Sequence, residues 1–482
     1  MTKNLALPPF ARRDPSLRSE AVIFSRAFSV QRRYNVTMKT PTPPTPRPDT
    51  PKPRLRRPDR HQTLLVPLCP DDLVPPDHEV RTVVAVVETM DLSRFHEPIK
   101  AVEGEAGRNA TDPALLVALW LYATIRGESS ARRLATLCEE SRPFQWLCGG
   151  VTVNHHLLSD FRTAHLDALD DLFTQCIAAL VGKGLVTVAR ISQDGMRVRA
   201  DAGAASFRRE GRLQTLLEEA RRHVAEVRRQ FEDETYAAQV GARRRAAQEC
   251  AARQRQACLE AALEELPDLK RRQEEAARRA GHGVRGRKIR QKEPRVSTTD
   301  PEARVMKMPD GGFRPAYNVQ LATDTESRAV VGVDVTNEGS DGAGLSEPMR
   351  KQVEERTGRT VDDHLLDGGY LRTEDLERAH AEDVALFVPP REARKEERRG
   401  RELEPRPGDS EAVLAWKARM RSEEGRTIYK ERAATSETVN ADVRCYRGLA
   451  RIPLRGLKKA TCLALWSALA YNVMHFAAAL VT

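Results

Sequence analysis

From about residue 65 to 185 the apolar positions recur at helical spacing. The stretch DPALLVALWLYATI, from Asp112 to Ile125, is apolar on nearly every side, as a buried helix requires. Asp112 predicts its N-cap and Pro113 its first turn. SARRLATLCEESRPFQWLCGG and NHHLLSDFRTAHLDALDDLFTQCIAALVGKG continue as short helices broken at Pro143 and at Gly149-Gly150. A helix-turn-helix and a plain bundle fit this domain equally well, because no residue dictates a recognition helix. His155 and His156 stand side by side; neighbouring residues on a helix point to different faces, so capping or core roles suit them better than metal ligation.

The period then changes. In GLVTVARISQDGMRVRADAG, Val186, Val188 and Ile191 alternate ahead of Asp194 and Val198 resumes after Gly195, which predicts a strand with an acid in its course or at a bend. AYNVQLATDTESRAVVGVDVTN predicts a hairpin about its DTES turn. HLLDGGY and DVALFVPP supply short strands, charged helical material fills roughly 408–447, and LKKATCLALWSALAYNVMHFAAAL closes the chain as an apolar helix. The order β-β-β-α-β-α-β-α implies a sheet with helices on its faces. Residues 207–290 interrupt it. Leu213, Leu217, Ala220, Val224, Val227 and Phe231 form a heptad seam, and the run CLEAALEELPDLKRRQEEAARRAG can pair back on it as an antiparallel helical hairpin.

Length and composition narrow the class. A chain of 482 residues exceeds one ordinary core, so two or three domains are expected, and 31% charged against 5% aromatic residues suits long charged helices. The net charge of +10 is uneven: residues 1–60 hold 14 Lys/Arg against 4 Asp/Glu, and residues 207–295 hold 23 against 15. Basic charge carried by a tail and an inserted segment suits a polyanion such as DNA, although a solvated face is the commoner reason for such runs. The proline-rich start cannot bury a core and reads as a disordered basic tail over 1–64. Eight scattered cysteines without a CxxC indicate neither a zinc site nor a disulfide framework and suit a reducing compartment. With no apolar run of about 18 residues and no signal-peptide core, a soluble intracellular protein is expected.

Three acids stand in settings that would hold them still: Asp194 in ISQDGMRVRA, Asp367 in LLDGGY and Glu437 in YKERAATSETVNADVR. Singly, each has a plain reading, two as Asp-Gly turns and one as a surface glutamate. Jointly, carboxylates brought together repel one another and call for a divalent cation, for which magnesium is the natural choice. Glu431, Asp442, Asp362 and Asp363 compete nearby; the last two precede the apolar HLL, and Glu431 is the more serious rival.

These residues resemble the DDE transposases of bacterial insertion sequences, in particular the group numbered eleven-eighty-two. The resemblance runs from about residue 65 to the C-terminus. ALWLYATIRGESSARRLATLCEESRPFQWLCGG and HLLSDFR are similar to that group's N-terminal domain, and QDGMRVRADAGAASFRR to its first-acid segment. DPEARVMKMPDGGFRPAYNVQLATD and VDVTNEGSD are similar to the hairpin before the second acid, LLDGGY to the D-x-G-Y/F signature, and YKERAATSETVN to the Y-x-x-R...E signature.

The resemblance implies an α/β fold: a ribonuclease-H-like catalytic core with a mixed sheet, interrupted by a coiled-coil-like helical hairpin and preceded by an all-α domain. Joined to the residue patterns above, it divides the chain into a tail at 1–64, which the resemblance does not reach, a helical domain at 65–184 that can bind DNA, core at 185–206 and 296–450, the basic hairpin at 207–295 and an apolar helix at 451–482. It implies metal-dependent cleavage at element ends and strand transfer by direct transesterification. Asp194, Asp367 and Glu437 become the catalytic and metal-binding triad, with two magnesium ions that manganese can replace, and Tyr429, Arg432 and Arg444 become DNA contacts. Implied partners are the terminal inverted repeats, target DNA and a second copy of the chain, in the bacterial cytoplasm at the nucleoid. Two departures stand out: Met196 where relatives often carry Thr or Ser, and Arg444 where a Lys often follows the Glu. A nuclease without strand transfer and an inactive DNA-binding remnant are the alternatives.

Overall fold

The structure, a computed structural model, describes residues 69–101, 104, 109–232, 241–342, 344–390 and 400–481, with Arg285 described by its backbone alone. The expected basic tail at 1–64 lies outside the described residues, as do 233–240 within the expected hairpin.

Among the described residues, helices longer than one turn come first: α1 (Glu79–Glu88), α2 (Pro113–Ile125), α3 (Ala131–Glu140), α4 (Arg142–Cys148), α5 (His155–Ala164) and α6 (Leu166–Gly182). α2 begins as its sequence demands, with the Asp112 carboxylate accepting from the Ala114 amide at 2.8 Å and Pro113 in the first turn. Every residue from Leu116 to Ile125 is buried. The histidine pair departs from expectation. Asn154 caps α5, accepting from the Leu157 amide at 2.9 Å, and the His155 and His156 rings lie 4.1 Å apart in place of diverging.

The sheet follows. Its strands are β1 (Arg190–Arg199), β4 (Arg304–Lys307), β5 (Phe313–Asp324), β6 (Val330–Thr336), β7 (Asp363–Leu365) and β8 (Ala385–Phe387). β5 takes β1 on one edge and both β6 and β4 on the other, all antiparallel; β7 lies parallel to β1, and β8 parallel to β7. The β5–β6 hairpin turns where DTES predicts: Asp324 accepts from the Ser327 amide at 2.8 Å and its hydroxyl at 2.6 Å. β1 starts later than the alternation suggests. Val186 and Val188 are buried in the connection, and Val188 adopts φ 52°, a conformation rare for a branched residue, its amide held by Asp324 at 3.1 Å.

Between β1 and β4 stands a separate layer. A two-stranded pairing, β2 (Phe207–Arg208) with β3 (Val296–Ser297), brackets α7 (Glu210–Glu232), α8 (Ala242–Arg279) and α9 (Val284–Gln291). α7 and α8 bury Leu213, Leu217 and Ala220 against Leu259, Ala262 and Leu266. Ion pairs Lys270–Glu210, Arg221–Glu260 and Arg228–Glu249 show that the two helices run in opposite directions.

The remaining helices are α10 (Ser346–Thr357), α11 (Thr373–Ala381), α12 (Glu411–Arg421), α13 (Glu423–Arg432), α14 (Thr438–Tyr446) and α15 (Leu457–Val481). α15 corrects one expectation, for by length and composition it is apolar enough to cross a membrane. Most of that apolar window is buried within the protein, where α15 packs on α6, α2, α1 and β6. Asn472 clamps it to the sheet, accepting from the Val330 amide at 2.9 Å and donating to the Val330 carbonyl at 2.8 Å. One hydrophobic core therefore runs from the N-terminal helices through α15 into β1, β5 and β6, and each fully buried Leu in it contributes roughly 2 kcal/mol. A second cluster, with Leu365, Tyr370, Phe387 and Trp416, supports β7 and β8.

Candidate active site

Asp194 sits in the middle of β1, opposite Leu321 of β5. On the other edge, β7 pairs in the register Arg190↔Asp363, Ile191↔His364, Ser192↔Leu365. Continuing that parallel register by two residues sets Asp367 beside Asp194, and paired residues of parallel strands share a face. β7 has ended by then, and Asp367 begins a turn: its carboxylate accepts from the Gly369 amide at 2.6 Å. An acid at the mouth of this short strand is thereby fixed by backbone on both sides, with two glycines leaving space beside it.

The third acid arrives from the helices. α13 passes into α14 through a π-helical turn, Ala433–Glu437. The wider winding brings Ser436 onto β1, where its hydroxyl meets that of buried Ser192 at 2.5 Å; such turns are commonest at functional sites. From the same helices, Arg432 Nη2 donates to Asp194 Oδ1 at 3.1 Å and Asn440 Nδ2 donates to Asp194 Oδ2 at 3.1 Å. The Gly195 amide adds a third donor at 3.0 Å.

Burial pushes the Asp194 carboxyl up to about 6; Arg432 and the Gly195 amide oppose the rise, and the charges of Asp367 and Asp341 add to it. Arg432 is itself only 13% exposed, and its charge is held against burial by Asp194, Tyr429, Asp367 and Glu437 together. The guanidinium thus feels the charge of all three candidate acids and bonds one of them, Asp194. Asp194 lies on β1 and Asp367 in the turn after β7, close enough for its charge to act on Asp194, whereas Glu437 is exposed. Among the described residues no three His, Cys, Asp or Glu side chains stand at metal-ligand spacing. The donor chemistry nevertheless suits a hard divalent cation: the candidates offer only oxygen, and Asp194 carries a carboxylate whose charge the protein compensates incompletely.

The rivals are otherwise engaged. Arg190 Nη1 donates to both oxygens of Glu431, at 3.1 and 2.9 Å, while Arg190 Nε donates to Asp363 at 2.8 Å; Asp442 pairs with Arg447 at 2.9 Å. Of the expected DNA contacts, Tyr429 is partly buried against the cluster under β7 and β8, Arg432 faces Asp194, and Arg444 donates to the Arg197 carbonyl at 2.8 Å. Met196 is buried in the main core, which accounts for an apolar residue there.

Sequence reasoning missed Asp341, Asn440 and Ser192. Asp341 lies four residues beyond Asn337 in the loop after β6, and its carboxylate accepts from Asn318 Nδ2 at 2.8 Å, Gln320 Nε2 at 3.2 Å and Arg197 Nη2 at 3.2 Å. The one signal for it was its place at the end of the segment VDVTNEGSD.

Comparison with known proteins bears on both halves of this architecture. Residues 68–164 match a family described as Transposase domain (DUF772), and residues 284–473 match one described as Transposase DDE domain. The second range contains Asp367, Glu437, Tyr429, Arg432 and Arg444, whereas Asp194 lies outside both. No curated protein and no solved structure matches the chain. With a transposase domain ahead of the sheet and a DDE domain spanning β4 to α15, the chain belongs to the DDE transposases of insertion sequences.

Proposed function

We propose that this transposase cuts a phosphodiester bond at each end of its element and joins the exposed 3′-hydroxyl to target DNA, using Asp194, Asp367 and Glu437 as metal-binding carboxylates. The observation that carries the reading is the β1–β7 register, which, continued two residues past the end of β7, brings the turn that opens at Asp367 level with Asp194 on β1. Strand order supports a ribonuclease-H-like core: β1 is central, β5 is reversed beside it, β6 lies outside β5 on the edge that β4 also joins, and β7 and β8 follow on the other edge of β1. On this reading the core comprises 185–206 and 296–450, the helices of 65–184 form a DNA-binding domain, 207–295 is an inserted hairpin, and α15 within 451–482 fastens the two together.

The oxygen-only donors select magnesium, with manganese as a substitute. Two such ions, when bound, sharpen the attacking oxygen and stabilise the leaving one. The chain's own residues do the rest. Asp194 is held by the backbone of β1 and Asp367 by the turn its carboxylate closes on the Gly369 amide, and Glu437 supplies a carboxylate from the solvent side, where DNA arrives. Arg432 changes partner: with the charge of Asp194 taken up, its guanidinium is released to meet the charge that builds on the phosphate. Arg444, one turn beyond Asn440, adds positive charge on the same side.

In the first step a water oxygen bonds to phosphorus and the 3′-oxygen departs with a proton, leaving a 3′-hydroxyl and a 5′-phosphate. In the second, that hydroxyl attacks a target phosphodiester and displaces the target's own 3′-oxygen, so the number of phosphodiester bonds is conserved. Two ends must be held at once, which calls for at least a dimer acting on the bacterial nucleoid. The test incubates the protein and magnesium with plasmid carrying the gene's native flanking DNA. Joined products that disappear in Asp367→Asn are expected; cut ends without joining would reduce the protein to a nuclease, and joining by Asp367→Asn would refute the assignment.

A further inference from the structure

On the face of β1 opposite Asp194 lies a buried polar chain that none of these roles uses. The antiparallel pairs Gly195↔Gln320 and Arg197↔Asn318 share that face. Asp341 gathers three donors there, from Asn318, Gln320 and Arg197. Gln320 is fully buried, and its Oε1 accepts from Gln193 Nε2 at 2.9 Å and from the Tyr370 hydroxyl. Tyr370 closes the turn that Asp367 opens: its amide donates to the Asp367 carbonyl at 3.1 Å. A continuous hydrogen-bonded path therefore runs from Asp341 through Gln320 and Tyr370 to the turn bearing the second acid.

The chemistry of each link fixes a direction. A carboxylate only accepts, so Asp341 draws the NH₂ end of Gln320 towards itself and leaves the carbonyl end facing Tyr370. Tyr370 is 2% exposed, and its hydroxyl donates to Gln320 Oε1. A neutral group at 341 would let the amide turn over, and Tyr370 would lose its acceptor. The crowding at Gly195 shows how closely the path lies under the strand: a Cβ there would collide with Gln320 Nε2 and Asp341 Oδ1. Beside it, Asn318 is fully buried with its Oδ1 unpartnered.

We infer that Asp341 is a positioning residue, which acts through Gln320 and Tyr370 to fix the Asp367 turn against β1 and so sets the separation of Asp367 from Asp194. The inference rests on the assignment of Asp194 and Asp367 as the acid pair. It explains why a polar path, directional at every link, is buried where an apolar contact would let the turn slide.

The test compares Asp341→Asn, Tyr370→Phe and their double substitution by two readouts. One is amide hydrogen exchange across residues 368–371 in metal-free protein; the other is the Mn²⁺ dissociation constant by electron paramagnetic resonance. Each single change should speed exchange in the turn and weaken Mn²⁺ about tenfold, the usual scale for residues that orient a ligand. Because both act along one path, the double substitution should be no worse than the poorer single. Multiplied effects, or exchange and affinity like wild type, would overturn the inference. Abolition of Mn²⁺ binding by Asp341→Asn would also overturn it, making Asp341 a ligand. Asp194→Asn and Asp367→Asn separate the two claims: if they lose Mn²⁺ while the path variants do not, the path fails alone, and if they bind like wild type the acid pair itself falls.

Discussion

Asp194 makes a measurable demand on the fold. Its carboxyl stands at about 6, lifted from an ordinary 3.8 chiefly by burial. Since the folded value is the higher, the folded chain binds this proton more tightly; the stability it brings is fully present below pH 3.8 and is lost as pH rises through about 6. A shift of roughly two units, at about 1.36 kcal/mol each, amounts to about 3 kcal/mol. The side chain is 21% exposed, so solvent trims that figure without removing it. Urea unfolding of wild type and Asp194→Asn, with metal chelated, should be followed from pH 4 to pH 8. Asn does not titrate, while Asp300, Asp334 and Asp375, whose carboxyls burial also raises, are common to both chains and cancel in the difference. Wild type should lose about 2–3 kcal/mol relative to the variant across the range. A difference that stays flat, or that favours wild type as pH rises, would refute the buried, incompletely compensated carboxylate.

Other consequences follow from the same geometry. Gly195→Ala forces Gln320 and Asp341 apart and should cost about 1–3 kcal/mol, read from the urea midpoint. Arg432→Ala strips the cationic partner from Asp194 and should destabilise the metal-free protein by about 2 kcal/mol, a loss that bound Mn²⁺ should largely restore. Because Arg190 already holds Glu431, Glu431→Gln should keep most cleavage activity, whereas Glu437→Gln should lose on the order of a hundredfold or more in a plasmid-cutting assay. Tyr317→Phe removes a hydroxyl that bonds both oxygens of buried Asp300, at 2.8 and 2.9 Å, and should lower stability by about 1–3 kcal/mol in thermal unfolding.

What was legible in the sequence was mostly local. Asp112 with Pro113 announces a helix start because cap and first turn are adjacent residues, and DTES announces a turn for the same reason. The seam through Leu213, Leu217 and Ala220 is legible because one helix face repeats within a few residues. Asp194 and Asp367 were visible as acids in apolar settings, but their adjacency depends on a parallel pairing between strands separated by an inserted helical layer, and no local pattern encodes that register. Asp341 escapes a sequence reading because a loop acid has no periodicity; its meaning comes from Asn318 and Gln320 on β5 and Arg197 on β1. The resemblance makes Arg432 a DNA contact; its hydrogen bond to Asp194 is a further role that no local pattern encodes. α15 was read as an apolar helix without its weight in the fold, since only packing shows that it joins the N-terminal helices to the sheet.

The central claim is that this chain moves DNA by means of Asp194, Asp367 and Glu437. The most direct measurement places the gene's native flanking DNA around a selectable marker in cells and scores excision and reintegration with wild type, Asp194→Asn, Asp367→Asn and Glu437→Gln, each confirmed as expressed and folded. The account predicts marker movement with wild type and none with any of the three substitutions. Movement that survives any one of them would contradict it.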